Sequence, residues 1–193
     1  MQRQLARRLT LAVLTPLLLT SCGGDDEPQV LPEVKAFDDA RDALVAADAG
    51  RYDWYVEVKA FPKPLIDDVV CWDDASGDPP PPEDAHPEAV EAIAKAEAYG
   101  AFREDASLVD VDIPAALALT LLGVEDKILA KSPLEPEDLA PAVVGVEDGR
   151  ITTLKVNGAA VARRLSDDDV PVDADLRSHA DLAVAHIEFG PAC

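Results

Sequence analysis

The sequence predicts an α+β domain built on an antiparallel sheet, with a helix packed against one face. Apolar residues recur at helical spacing over residues 34–48 and alternate with polar residues over residues 51–60. Three later apolar segments are joined by the dipeptides Asp148-Gly149 and Asn157-Gly158. The first two patterns are typical of a one-sided helix and a half-buried strand. Asp-Gly and Asn-Gly supply the positive φ values of tight hairpin turns.

The N-terminal segment has the organisation of a bacterial lipoprotein signal peptide. Three arginines precede an apolar run that ends in Leu-Thr-Ser-Cys at residues 19–22. This order predicts a signal peptide over residues 1–21, with Cys22 as the lipidated first residue of the mature chain. A membrane-spanning helix is the other interpretation, but the run is interrupted by Pro16 and falls short of ~20 residues. We therefore expect an extracytoplasmic protein, lipid-anchored in the cell membrane or outer envelope.

The mature chain is strongly acidic. Loss of the signal peptide leaves 14 basic and 38 acidic side chains, a formal charge of −24. Such a charge repels nucleic acid and anionic headgroups, so no nucleic-acid partner is expected. We expect acyl chains such as palmitate on Cys22 to attach the protein to the membrane. Residues 22–33 predict a flexible acidic tether, and residues 34–193 suit a single domain.

The cysteines predict one disulfide. With Cys22 lipidated, Cys71 and Cys193 remain as an even pair in an exported protein, where disulfides persist. The alternatives are two free thiols or a contact with another chain. The bridge would join the last residue to the middle of the domain.

The first half of the domain predicts a helix followed by two strands. The helix covers residues 34–48, with Gly50 as a stop, and strands follow at residues 51–60 and 65–72. A proline-rich surface loop comes next. Residues 88–99 fit either a helix or a strand, because alanines and a Glu-Lys pair favour the first and alternation favours the second.

The second half predicts mainly strands. Residues 108–113 alternate clearly, whereas residues 115–130 fit either a hairpin around a glycine or a short helix at 115–122. A brief helical turn is expected at residues 136–140. The remaining predicted strands are 143–147, 150–156 and 159–165, joined as a meander by the two dipeptides, and a last strand at 180–189. Both faces of this last strand are apolar, which predicts a cover on one side and either a second cover or an apolar cavity on the other.

Four segments resemble the actinobacterial lipoproteins of the LprG and LppX group. They are Arg-Tyr-Asp-Trp-Tyr-Val-Glu-Val at 51–58, the stretch 95–113, the Asp-Gly turn with its strand at 146–156, and the C-terminal segment 179–191, which ends in Phe-Gly-Pro. The resemblance implies a curved, half-barrel-like sheet with helices and an apolar cavity on its concave side. It also implies binding or carrying of acylated lipids, and a strand at residues 88–99.

The sequence offers no catalytic motif. It has no nucleophile elbow, phosphate-binding glycine loop or zinc-spaced cluster of histidines and cysteines, and its acidic runs lack calcium-loop spacing. His179 and His186, placed on one strand, would lie over ~20 Å apart and could not share a metal ion. We therefore expect no enzyme, no metal and no cofactor.

Two functions follow as expectations. The first is a carrier of a lipid or another apolar ligand, held in a cavity between the helix at 34–48 and the sheet. The second is a non-enzymatic interaction or structural lipoprotein with a filled core, whose acidic surface meets a cationic protein partner. The two functions differ in the expected interior: a cavity of ~300–1,000 Å³ favours the carrier, and a filled core favours the interaction protein. The predicted lining consists of Trp54, Val56, Val111, Leu154, Val184 and Ile187.

Overall fold

A computed structural model describes residues 32–59, 61–73, 87–99, 107–168, 170 and 172–193. Cys22, the predicted tether before residue 32 and the proline-rich loop lie outside the described residues. The helices are α1 (Pro32–Val45), α2 (Glu88–Ala94), α3 (Ala115–Leu121), α4 (Asp126–Leu129), α5 (Gly158–Asp167) and α6 (Ala174–Leu182). The strands are β1 (Ala49–Val58), β2 (Ile66–Asp73), β3 (Glu97–Ala98), β4 (Leu108–Pro114), β5 (Leu139–Glu147), β6 (Arg150–Asn157) and β7 (Ala183–Gly190).

The strands form one curved antiparallel sheet in the order β2-β1-β7-β6-β5-β4-β3. The last strand lies beside the first, between β1 and β6, so the two ends of the domain are held together in its middle. The predicted α+β fold is confirmed. Among the described helices, none is both long and apolar enough to cross a membrane.

One face of the sheet carries the core. Directly opposed residues on paired strands share a face, so the register places Val56, Ala185 and Val156 on one side and Tyr55, His186 and Lys155 on the other. The first side, here called the inner face, joins the buried residues of the helices in one hydrophobic cluster. The second side, the outer face, is mostly polar.

Residues 88–99 contain a helix and only two strand residues. Helix α2 starts directly after Pro87 and buries Val90 and Ile93, while β3 pairs only Glu97 and Ala98 with β4. The strand implied by the family resemblance is therefore wrong over residues 88–94. The buried residues three positions apart lie on one helical face, and this packing outweighs the alternation.

Residues 115–130 form helices rather than a hairpin. Helix α3 runs to Leu121, and Gly123 follows with a φ of 80°, the left-handed conformation that ends many helices. The short-helix alternative is confirmed, and the hairpin is wrong. The helical turn expected at residues 136–140 is also wrong, since Leu139 already pairs with Pro114 in the sheet.

The predicted meander is half right. The Asp148-Gly149 turn joins β5 to β6, with φ values of 50° and 71°. The strand predicted at 159–165 is helix α5 instead, and Asn157 caps its first turn. The last strand begins at Ala183, because α6 occupies the residues before it.

The predicted disulfide is present. Cys71 on edge strand β2 is bonded to Cys193, with Cα atoms 6.1 Å apart and 122 positions between them in sequence. A loop of this length stabilises the fold by up to about 5 kcal/mol in the chain-entropy treatment. The bridge fixes the chain end beside the start of β1.

Candidate functional site

Four of the six predicted lining residues are core. Val56, Val111, Leu154 and Ile187 are fully buried within the single hydrophobic cluster. Trp54 is half-buried against this cluster, and its indole N–H donates a hydrogen bond of 2.9 Å to the carbonyl oxygen of Leu121. These side chains fill the interior and hold α3 against the sheet.

Val184 does not belong with the other five. It faces the outer side of the sheet, where it lines a surface hollow with Tyr55 and Glu57. Successive strand residues point to opposite faces, so Val184 and Ile187, three positions apart, cannot face the same space. The prediction that both line one cavity is wrong.

An apolar cleft does lie between α1 and the sheet, at the end where β1 begins and β7 finishes. Its volume is 420 Å³. We call it the rim cleft and define it by Ala40, Ala43, Leu44, Ala47, Gly50, Trp72, Arg150, Ile151, Thr152, Phe189 and Pro191. Its volume lies within the range of small-molecule sites.

The helix wall of the rim cleft is one stripe of mostly small side chains. Ala40, Ala43 and Leu44 follow the i, i+3, i+4 spacing that places residues on one side of α1, and Ala47 continues the stripe two positions beyond the end of the helix. Three of these four side chains are single methyl groups, which extend only a short distance from the backbone. Space therefore remains between this part of α1 and the sheet.

The sheet wall is aromatic. The indole of Trp72 lies over Gly50, where any Cβ atom would overlap the ring. Its N–H donates to the carbonyl oxygen of Ala47 over 3.4 Å. The buried ring of Tyr52 lies beneath, with its centroid 6.2 Å from Trp72 and 5.8 Å from Phe189. This group gives the cleft a rigid apolar floor next to the disulfide.

Arg150 is the charged residue of the rim cleft. Its side chain is exposed, and among the described residues its guanidinium has neither an ion pair nor a hydrogen bond. The rest of the lining is apolar or neutral. The arrangement suits a molecule with an apolar body and an anionic end.

The hydroxyl of Tyr52 is a buried polar group with no hydrogen-bond partner among the described residues. Burial raises the pKa of Tyr52 to about 12, and the carboxylates of Glu88 and Asp68 act in the same direction. The nearby backbone N–H of Ala89 opposes them. Tyr52 is therefore neutral over the physiological range and offers no base for catalysis.

A second hollow lies on the outer face. It has a volume of 540 Å³, and Tyr99, Asp110, Lys155, His186 and Glu188 contribute polar groups to it. Charges of both signs lie on β4, β6 and β7. This mixture is typical of a solvated sheet face and selects no single kind of ligand.

The ion pair at the edge of the outer face is structural. Arg164 of α5 lies 3.2 Å from Asp112 of β4. Burial raises the pKa of Asp112, Glu97 adds to the effect, and the guanidinium of Arg164 opposes it. The pair links α5 to the sheet.

The histidines do not meet. His179 lies on α6, with Nε2 3.2 Å from the carbonyl oxygen of Leu122, while His186 is on the outer face of β7. The expectation that both lie on one strand is wrong, because residues 174–182 are helical. His86 lies outside the described residues. Within the described part of the chain, no three histidine, cysteine or acidic side chains come together as metal ligands.

Comparisons with protein-family models, curated proteins and solved structures give no match for this chain. The rim cleft was not identified from the sequence, although its helix wall is readable there as an alanine stripe. The sheet wall combines residues 50, 72, 151 and 189, which only the strand order brings together.

Proposed function

We propose that this chain is an exported, lipid-anchored binding protein that holds an acyl chain or a similar apolar group in the rim cleft, without catalysis. The observation that carries the proposal is the cleft itself, an apolar space of 420 Å³ between α1 and the aromatic end of the sheet. The predicted signal peptide and the predicted lipidation of Cys22 support an extracytoplasmic, membrane-anchored location. The resemblance to lipid-carrying lipoproteins agrees with this assignment.

The lining of the rim cleft has an apolar part and a positively charged part. Trp72, Ile151 and Phe189 offer apolar surface, whereas Arg150 offers a positive charge that forms no ion pair among the described residues. Because the chain carries many more acids than bases, an anionic group is repelled from most of the surface. Arg150 makes the cleft an exception, so the proposed ligand carries a carboxylate or phosphate beside its acyl chain.

The first experiment is native mass spectrometry of the mature protein, combined with lipid extraction. A stoichiometric bound lipid supports the carrier function and identifies the cargo. A protein mass that contains only the chain, its acyl anchor and the intact disulfide contradicts it.

A cleft-blocking substitution localises the binding. Ala43 is exposed on α1 and lines the cleft, so Ala43→Phe fills the space without disturbing the buried core. We expect uptake of a fluorescent long-chain fatty acid to fall about tenfold or more, since the lost apolar contact is worth at least ~1.4 kcal/mol. The matched control is Ala36→Phe, because Ala36 is also exposed on α1 but does not line the cleft. Equal loss in both variants rejects the rim cleft as the site.

Arg150→Gln tests the charge preference. The variant should weaken binding of the fatty acid and leave binding of its methyl ester unchanged, because only the acid carries the charge. Arg163→Gln is the control, an exposed arginine on α5 away from the cleft. An equal effect of Arg150→Gln on acid and ester excludes ion pairing at this position.

The second candidate function is a non-enzymatic interaction or structural lipoprotein. It is favoured by the complete burial of Val56, Val111, Leu154 and Ile187, which leaves the centre of the domain filled. Its acidic surface would meet a cationic protein. An apo mass, no fatty-acid uptake and a salt-sensitive protein complex captured by crosslinking would favour this function over the carrier.

A further inference from the structure

The loop between β1 and β2 carries an unusual concentration of exposed apolar side chains. Phe61 is 69 % exposed, Leu65 is 50 % exposed, and Leu182, which lines a hollow with Phe61, is 39 % exposed. They account for three of the five large apolar side chains exposed in the described part of the chain. We call Lys59, Phe61, Lys63, Leu65 and Leu182 the loop patch.

The loop patch is held by backbone hydrogen bonds. The amides of Phe61 and Leu65 donate to Val58 and Val56 over 3.1 and 2.8 Å, and the amide of Lys59 donates to Leu182 over 2.9 Å. Phe61 and Leu182 also line one hollow of 370 Å³. Phe61 and Leu182 are therefore presented together at this hollow, whereas the Leu65 side chain lies beside Gly123.

The chemistry of the loop fits a bilayer surface. Residues 59–65 contain two lysines and no acid, in a chain with more than twice as many acids as bases. Glu57 is the acidic side chain in the adjoining hollow. Pro62 and Pro64 lack an N–H group, which reduces the number of backbone donors that lose water when the loop meets the headgroup region. Long lysine side chains can keep their charge among the headgroups while Phe61 enters more deeply.

The predicted tether brings the domain close to the membrane. Nine residues, 23–31, separate Cys22 from the start of α1. Fully extended, this segment spans about 30 Å, which is comparable to the diameter of a domain of this size. A domain on so short a tether repeatedly meets the bilayer, and the loop patch carries both apolar and cationic side chains.

We propose that the loop patch docks the domain onto the anionic membrane to which Cys22 anchors it. The proposal uses the lipid anchor of the proposed function but does not depend on cargo binding. Docking would fix the orientation of the rim cleft relative to the bilayer. It adds to the anchor, because one aromatic side chain and two lysines give only weak binding by themselves.

The test uses the full-length lipoprotein reconstituted in vesicles of phosphatidylcholine and phosphatidylglycerol. Phe61→Cys is labelled with an environment-sensitive fluorophore, since Cys71 and Cys193 are bonded to each other and Cys22 is expected to be acylated. The control is Tyr99→Cys, an aromatic position of similar exposure, 55 %, near the opposite edge of the sheet. We expect blue-shifted emission and quenching by lipid-borne doxyl groups at position 61 only.

The lysines provide the second measurement. Each lysine near an anionic surface is worth about 1 kcal/mol, so Lys63→Gln should lower the insertion equilibrium of the label at position 61 about fivefold. The difference in insertion between the protein with Lys63 and the Lys63→Gln variant should vanish in purely zwitterionic vesicles. Equal signals at positions 61 and 99 overturn the proposal, as does docking that appears only when a second protein is added.

Vesicle flotation separates failure of the anchor from failure of the patch. A chain that does not float lacks the lipid anchor, which removes the tether and the docking proposal together. A chain that floats but leaves position 61 in water retains the anchor and contradicts docking alone. Neither outcome depends on uptake of fatty acid by the rim cleft.

Discussion

Two Asx-Gly dipeptides, nine positions apart, take opposite roles in this fold. Asp148-Gly149 closes the hairpin between β5 and β6, and both of its residues have positive φ. Asn157-Gly158 ends β6 and starts α5, with Asn157 in an extended conformation at a φ of −101°. The dipeptide permits a tight turn in both places, but only the first place adopts one.

The difference lies in what surrounds each glycine. Gly149 is exposed, and a Cβ atom there would contact nothing within 4 Å. Gly158 is buried, and a Cβ atom there would overlap the carbonyl oxygen of Ala180 on α6. Gly149 is required for its backbone angle and Gly158 for close approach of two helices. The same residue type thus serves two physical needs that look alike in sequence.

Gly158→Ala should have the largest effect of the substitutions that probe this comparison. In an ordinary exposed helix, alanine in place of glycine stabilises by up to about 1 kcal/mol. Here the methyl group has to displace the backbone of α6, so we expect a loss of about 3 kcal/mol. Urea unfolding of the full chain, followed by circular dichroism, measures it. A gain in stability would show that α5 and α6 are not closely packed at this point.

Local patterns predicted much of the sheet because alternation and backbone chemistry agreed. The strands at 51–58 and 108–113 and the turn at Gly149 needed no knowledge of distant residues. Helix α5 was missed because Asn157-Gly158 was interpreted as a hairpin turn, although the same dipeptide also suits a helix start. An Asn at the N-cap accepts hydrogen bonds from the amides of the first turn, as Asn157 does from Ala159 and Ala160.

The candidate site was harder to predict than the fold. The sequence-based prediction located the ligand between the first helix and the sheet, and it named large apolar residues such as Val56 and Leu154 as the lining. These residues are packed in the core. An open cleft instead requires small residues on one wall, as at Ala43 and Ala47. Its other wall comes from strand ends far apart in sequence, so their proximity depends on β7 entering between β1 and β6.

Gly149→Ala should have the second-largest effect. Its φ of 71° lies in the left-handed region, where a side chain costs about 1–2 kcal/mol. Because no atom surrounds the site, the loss should stay near this value and should not reach that of Gly158→Ala. Thermal and urea unfolding of the two variants side by side provide the measurement. Equal losses at both positions would remove the distinction between backbone angle and close approach.

Asn157→Ala removes the cap of α5. The side-chain oxygen lies 3.1 Å from the amide nitrogen of Ala159 and 3.4 Å from that of Ala160, and alanine leaves both donors to water. We expect a loss of about 1 kcal/mol in urea unfolding. Asn157→Asp is the control, because aspartate caps as well as asparagine does. If both variants lose the same stability, the cap does not hold the start of α5.

Asp148→Asn should have the smallest effect and defines the baseline of the comparison. Asp148 is exposed with a φ of 50°, and asparagine adopts this left-handed conformation at least as readily as aspartate. The change also removes one negative charge from a chain rich in them, so stability should rise or stay within about 0.5 kcal/mol. Urea unfolding at low and high salt separates the two contributions, since salt screens only the charge term. A loss comparable to that of Gly149→Ala would mean that the aspartate side chain itself, rather than the backbone angle of the dipeptide, specifies the hairpin.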